Sequence, residues 1–149
     1  MNKDRIIVLQ LLKKELAFLE SGGYKHAARS PWRPAYIFEE SPSCPNFHDK
    51  ARPHLCKDCW LMEFVPSGRR EEQVPCRFVE ISSNDVTVDS LYRCGTPAET
   101  EEELRNWLCQ RIRDLERPVK PAERLLLSPG RQPKLLPYWA HSDGRVITE

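Results

Sequence analysis

Cys56-Lys57-Asp58-Cys59 sets two thiols at the spacing from which one tight turn presents both sulfurs to a metal ion. Eleven residues separate Cys44 from Cys56, and sixteen separate Cys59 from Cys76. Zinc takes four tetrahedral ligands, and thiolate suits it as a soft anionic donor. The expectation is therefore one structural Zn2+ held by Cys44, Cys56, Cys59 and Cys76. His48 and His54 stand within the same stretch as alternative fourth ligands. The glycine that often follows the second cysteine of a zinc knuckle is missing, and Trp60 stands there instead.

Other uses of the thiols are weighed against zinc. An iron–sulfur cluster accepts four cysteines too, but the clustered spacings of ferredoxin runs are absent. A redox dithiol wants a strand before Cys-x-x-Cys and a helix after it, and nothing upstream of Cys56 has that pattern. Structural disulfides are disfavoured in a reducing compartment. Unrelated buried thiols are the plain alternative. Cys94 and Cys109 read as a half-buried turn thiol and a packing residue.

One geometric conflict has to be resolved. If Trp60–Val65 and Cys76–Ile81 were two arms of a straight hairpin, about six residues at ~3.3 Å each would put Cys59 and Cys76 ~20 Å apart. Thiolates on one zinc sit within about 4 Å of each other. Either residues 59–65 form a short helix capped by Asp58, which lets loop 66–75 bring Cys76 back, or a histidine replaces Cys76. The first is preferred, since Pro75 fixes the backbone just before Cys76.

No phosphate loop, nucleophile elbow or His-Glu-x-x-His motif occurs, so no enzymatic activity is expected. The stretch YKHAARSPWRPAY mixes cations with aromatics and makes Lys25, Arg29, Trp32 and Arg33 candidate nucleic-acid contacts. The formal net charge of +1 argues against binding by bulk electrostatics. Glu39-Glu40 reads as a solvated turn pair.

The elements that must position these groups follow from periodicity and punctuation. Ile6, Leu9, Leu12, Leu16 and Leu19 recur at helical spacing, and Ser21-Gly22-Gly23 stops the pattern, which predicts a helix from Lys3 to Glu20. A second helix is predicted from Pro97 to Glu116. Thr96 and Glu99 form its capping box, and Leu104, Trp107, Leu108, Ile112 and Leu115 form its apolar face. Between them, Pro75–Ile81 and Val86–Val88 read as two strands of an antiparallel hairpin turning at Ser82-Ser83-Asn84-Asp85. Ala35–Phe38 is a short strand at most, and Trp60–Val65 is ambiguous.

The whole is expected to be an α+β fold: an N-terminal helix, a Cys-rich irregular metal-binding segment, a small antiparallel β-sheet, a capped C-terminal helix and an extended Pro-rich tail. A single zinc-binding domain spans 1–116. Residues 117–149, with Pro118, Pro121, Pro129, Pro133 and Pro137 among the chain's 13 prolines, form the tail. Its LLL, KLLP and YW clusters are candidate docking elements for a protein partner. The first twenty residues read as neither a signal peptide nor a membrane span, so a cytoplasmic protein without membrane contact is expected. Functionally, a non-enzymatic protein-interaction module is the leading expectation. A nucleic-acid-binding zinc protein and a zinc/thiol redox sensor are the alternatives.

Overall fold

The computed structural model describes residues 3–27, 35–47 and 49–118. Four α-helices account for most of the regular structure: α1 (Lys3–Glu20), α2 (Gly23–Ala27), α3 (Val88–Cys94) and α4 (Pro97–Glu116). A single antiparallel pair, β1 (Glu80–Ser82) and β2 (Val86–Thr87), forms the sheet, with Glu80 opposite Thr87. Among the described residues the architecture is thus mostly helical, with the small antiparallel sheet expected.

Helices α1 and α4 form the scaffold and run antiparallel. Arg5, in the first turn of α1, donates to the carbonyls of Asp114 and Leu115 at the end of α4, at 3.1 Å each. Lys25, beyond the end of α1, pairs with Glu101 near the start of α4 at 3.1 Å. The arginine thereby supplies donors and positive charge to carbonyls left open at a helix C-terminus. Leu12 and Leu19 of α1 and Leu104, Trp107, Leu108 and Ile112 of α4 are buried between them. Ile6, placed on the apolar stripe by periodicity, is 40% exposed. Gly22, at φ 77°, takes the left-handed turn that ends α1.

The capping box of α4 is formed as its sequence implies. Glu99 N–H donates to Thr96 Oγ1 at 3.2 Å, and Thr96 N–H donates to the Glu99 carboxylate at 2.8 Å. The hairpin is shorter than expected at both outer ends. Pro75–Phe78 is a 3-10 turn rather than strand, because the fixed proline φ suits the first position of a turn. Val88 opens α3 instead of closing β2: Thr87 accepts from Ser90 N–H at 3.2 Å, and Thr87 N–H donates to Ser90 Oγ at 2.8 Å. Ala35–Phe38 forms no strand.

The described residues between 35 and 78 form turns and short 3-10 segments at Cys56–Asp58, Trp60–Phe64, Ser67–Arg69 and Pro75–Phe78. They attach to the helices through aromatic contacts around Trp107. Phe38 meets its ring at 5.9 Å between centroids and Phe64 at 5.2 Å, both edge-on. No described helix is long and apolar enough to cross a membrane. The tail beyond Pro118, together with Arg29, Trp32, Arg33 and His48, lies outside the described residues.

Candidate metal centre

Cys44 is positioned from the helical scaffold by a buried carboxylate. Glu15 of α1 is only 1% exposed, and it accepts the hydroxyls of Tyr24, Ser41 and Ser43. A carboxylate removed from water needs such donors, and here three hydroxyls supply them. Tyr24 in turn accepts the Phe38 N–H at 2.9 Å, which anchors the chain as it enters the irregular segment. Ser43 N–H donates to Ser41 Oγ at 3.1 Å and Cys44 N–H to the Ser41 carbonyl at 3.0 Å. Burial, followed by the Glu15 charge, holds the Tyr24 phenol well above its ordinary value.

Asn46 then clamps the loop that leads to the thiol pair. Its side-chain amide donates to the His54 carbonyl and accepts the His54 N–H, each at 2.9 Å, as a strand partner would. Asn46 is buried, so this pairing also satisfies its polar atoms. The clamp brings Cys44 and Cys56 to one side of the loop. Cys59 N–H closes the next turn onto the Cys56 carbonyl at 3.0 Å.

Residues 60–64 form a 3-10 turn. Cys59, not Asp58, occupies its capping position, and no side-chain capping bond is made. The straight hairpin that would have carried Cys59 away from Cys76 is therefore absent. Cys44, Cys56, Cys59 and Cys76 all line one cavity of about 30 Å³, together with His54, Arg52 and Trp60. No disulfide joins any of the six cysteines. Cys94 is exposed and Cys109 half-buried, and neither lines this cavity.

The thiols of the cavity feel both burial and neighbouring charge. Burial pushes the Cys76 thiol well up, and Glu39, Cys59, Cys44 and Cys56 push it further. Burial likewise raises Cys59, with Cys44 and Cys56 adding to it. Cys44 is raised by burial as well, against the pull of the Asn46 backbone and the Arg52 guanidinium. A thiol raised in this way holds its proton until a cation offsets the thiolate charge. As the side chains stand, no three or more His, Cys, Asp or Glu among the described residues form a group arranged to hold a metal ion.

Beside the cavity lies an ion network that the sequence did not reveal. Glu39, whose side chain is 9% exposed, takes a two-pronged bond from Arg77, at 2.8 Å from Nε and 3.1 Å from the terminal nitrogen. It is thus an ion-paired, largely enclosed carboxylate rather than half of a solvated pair. The Arg77 guanidinium lies over the Tyr36 ring at 4.7 Å. Arg52 reaches toward Glu39 with one terminal nitrogen, at 4.0 Å, and donates with the other to Cys56 Sγ at 3.4 Å. Trp60, which also lines the cavity, has its Nε1 buried without a partner among the described residues. Glu15, Glu39, Asn46 and Arg52 carry no motif. Each is recognised only once the fold places its partners.

Of the candidate nucleic-acid contacts, only Lys25 is described, and its charge is paired with Glu101. Compared with known proteins, the chain matches no family model, no curated protein and no solved structure.

Proposed function

We propose that this is a small zinc-stabilised protein-interaction module without enzymatic activity, in which one Zn2+ is held by Cys44, Cys56, Cys59 and Cys76. The observation that carries the reading is that four cysteines from three separate stretches line one cavity of about 30 Å³. That space suits a single ion rather than a four-iron cluster. The donor set fits zinc chemically, since soft thiolates are its preferred ligands and four of them complete its tetrahedron.

With every position filled by protein, the ion has no room for a catalytic water, and its contribution is structural. The described residues of 44–78 form turns and short 3-10 pieces but no long element. A cross-link through the ion would hold it as a rigid surface. Six unpaired cysteines suit a reducing compartment, in keeping with a cytoplasmic location. The apolar clusters of residues 117–149 are the proposed docking element for a protein partner.

Elemental analysis of the purified chain, compared with its Cys76→Ser and His54→Ala variants, tests the reading. One zinc per chain that is lost with Cys76→Ser and kept with His54→Ala supports it. Absence of stoichiometric metal from the protein as purified, and after zinc is added to the reduced chain, overturns it.

A further inference from the structure

We infer that the outer face of α1 is a self-association surface: two copies of the chain pair antiparallel about a two-fold axis, with Ile7 packed on Leu11 of the second copy and Asp4 paired with Lys14 of the second copy. The inference is independent of the metal reading.

The first observation is an apolar row left outside the core. Leu12 and Leu19 of α1 are buried, and Val8, Leu9, Leu16 and Phe18 pack against the core. Among the described residues, Ile6, Ile7 and Leu11 do neither, and Ile7 is 44% exposed. At about 100° per residue, Ile7 and Leu11 stand ~40° apart around the helix, and Asp4 and Lys14 fall with them inside an arc of about 80°. The order Asp4, Ile7, Leu11, Lys14 steps by three, four and three residues, the spacing of a coiled-coil seam. Such a seam asks for a facing helix.

The second observation is charge, and it chooses the occupant. Asp4 and Lys14 are both exposed, and they flank the apolar pair symmetrically. Position 9 is the midpoint of Asp4 and Lys14, and it is also the midpoint of Ile7 and Leu11. One two-fold axis level with position 9 therefore makes both ion pairs and both apolar contacts together. At ~1.5 Å of rise per residue, each charge stands about 7.5 Å from that axis and meets its opposite at the same height. This shared midpoint is what a self-complementary patch requires, and an unrelated partner would not require it. A parallel arrangement would set Asp4 against Asp4 and Lys14 against Lys14, and like charges repel. Lys3 and Gln10, both exposed, supply a polar rim beside the seam. The contact closes on itself as a dimer, and its small apolar content places it in the transient class.

Sedimentation equilibrium of the full chain, loaded from about 10 μM to about 1 mM, reads the association. A reductant keeps the six cysteines from linking chains. An apparent mass that climbs toward two chains supports the inference, and one that stays at a single chain overturns it. Asp4→Lys and Lys14→Asp each turn two attractive contacts into two repulsive ones, so each is expected to raise the dissociation constant roughly tenfold. Mixed in equal amounts, the two variants face each other with opposite charges again, and the mixture associates as wild type does. A wild-type dimer that neither variant weakens overturns the inference, as does a mixture that stays as weak as its components. Asp4 lies in the first turn of α1, where a cation opposes the helix dipole. Should Asp4→Lys not fold for that reason, Ile7→Gln stands beside Lys14→Asp: weakened association in both supports the inference, and unchanged association in either overturns it.

Discussion

The carboxylate of Glu15, buried in the first helix, accepts the hydroxyl of Ser43, one residue before the first cysteine of the candidate centre. The first helix is thereby tied to the loop that carries Cys44. The same carboxylate takes Tyr24 and Ser41, so removing it takes an acceptor from three hydroxyls at once, of which Ser41 and Ser43 still have each other. Each buried group left unsatisfied costs about 1–3 kcal/mol, and partial relaxation puts Glu15→Ala at roughly 3–5 kcal/mol of lost stability. Urea denaturation of the zinc-loaded protein measures this. A loss under about 1 kcal/mol would mean that the network does not organise the loop.

Zinc removal provides a second prediction. Serine at Cys44, Cys56, Cys59 or Cys76 leaves well under one zinc per chain, whereas Cys94→Ser and Cys109→Ser leave the content unchanged, since neither lines the cavity. Ions that bind only the folded chain stabilise it by mass action, about 4 kcal/mol when free zinc stands a thousandfold above its dissociation constant. A strong chelator should remove that increment. An unfolding curve that does not move on chelation, in a protein shown to have lost its metal, contradicts a structural ion.

What was legible in the sequence is what local rules decide. Lys3–Glu20 and Pro97–Glu116 follow from periodicity, from the Gly22 stop and from the Thr96/Glu99 box, all of which act within one turn of the residues they govern. Val86 and Thr87 do pair as β2, but Val88 departs from the expected strand, because its β-branched side chain favours strand while the reciprocal Thr87/Ser90 cap favours helix from Val88 onward. Serine at the third helical position is a weaker signal than the glutamate at Glu99. The convergence of four distant cysteines on one cavity follows their spacing only once 60–64 is known to coil rather than extend. Glu15 and Glu39 were not legible, because a buried carboxylate and a solvated one look alike until their partners are placed.

Asn46 gives a prediction that separates loop geometry from the ligands themselves. It holds both the N–H and the carbonyl of His54, and so sets the approach of Cys44 to Cys56 without offering a donor to the metal. Asn46→Ala should cost about 1–2 kcal/mol of stability, since the exposed His54 backbone recovers water in place of the lost bonds. Zinc affinity should fall while stoichiometry at saturating zinc stays at one. Competition against a chromogenic chelator reads the affinity. Unchanged affinity would show that the metal alone closes the loop.

Tyr24 makes the alkaline limb of the stability curve specific. Burial, and then the neighbouring Glu15, favour its neutral phenol in the fold, so the folded value is raised above the ordinary one. Below about pH 10 both states keep the proton and the contribution is fully present. As pH rises above the unfolded value, the unfolded chain releases a proton that the fold retains, and stability falls by up to about 1.4 kcal/mol per pH unit until the folded value is passed. Tyr24→Phe lacks that proton, and it also lacks the bonds to Glu15 and the Phe38 N–H, so it is the less stable protein near neutrality. The gap between wild type and Tyr24→Phe should therefore narrow above about pH 10, with the cysteines, common to both proteins, cancelling in the difference. Denaturation midpoints taken at steps from about pH 8 to about pH 11.5 check it, and a gap that stays constant across that range rules out a raised phenol.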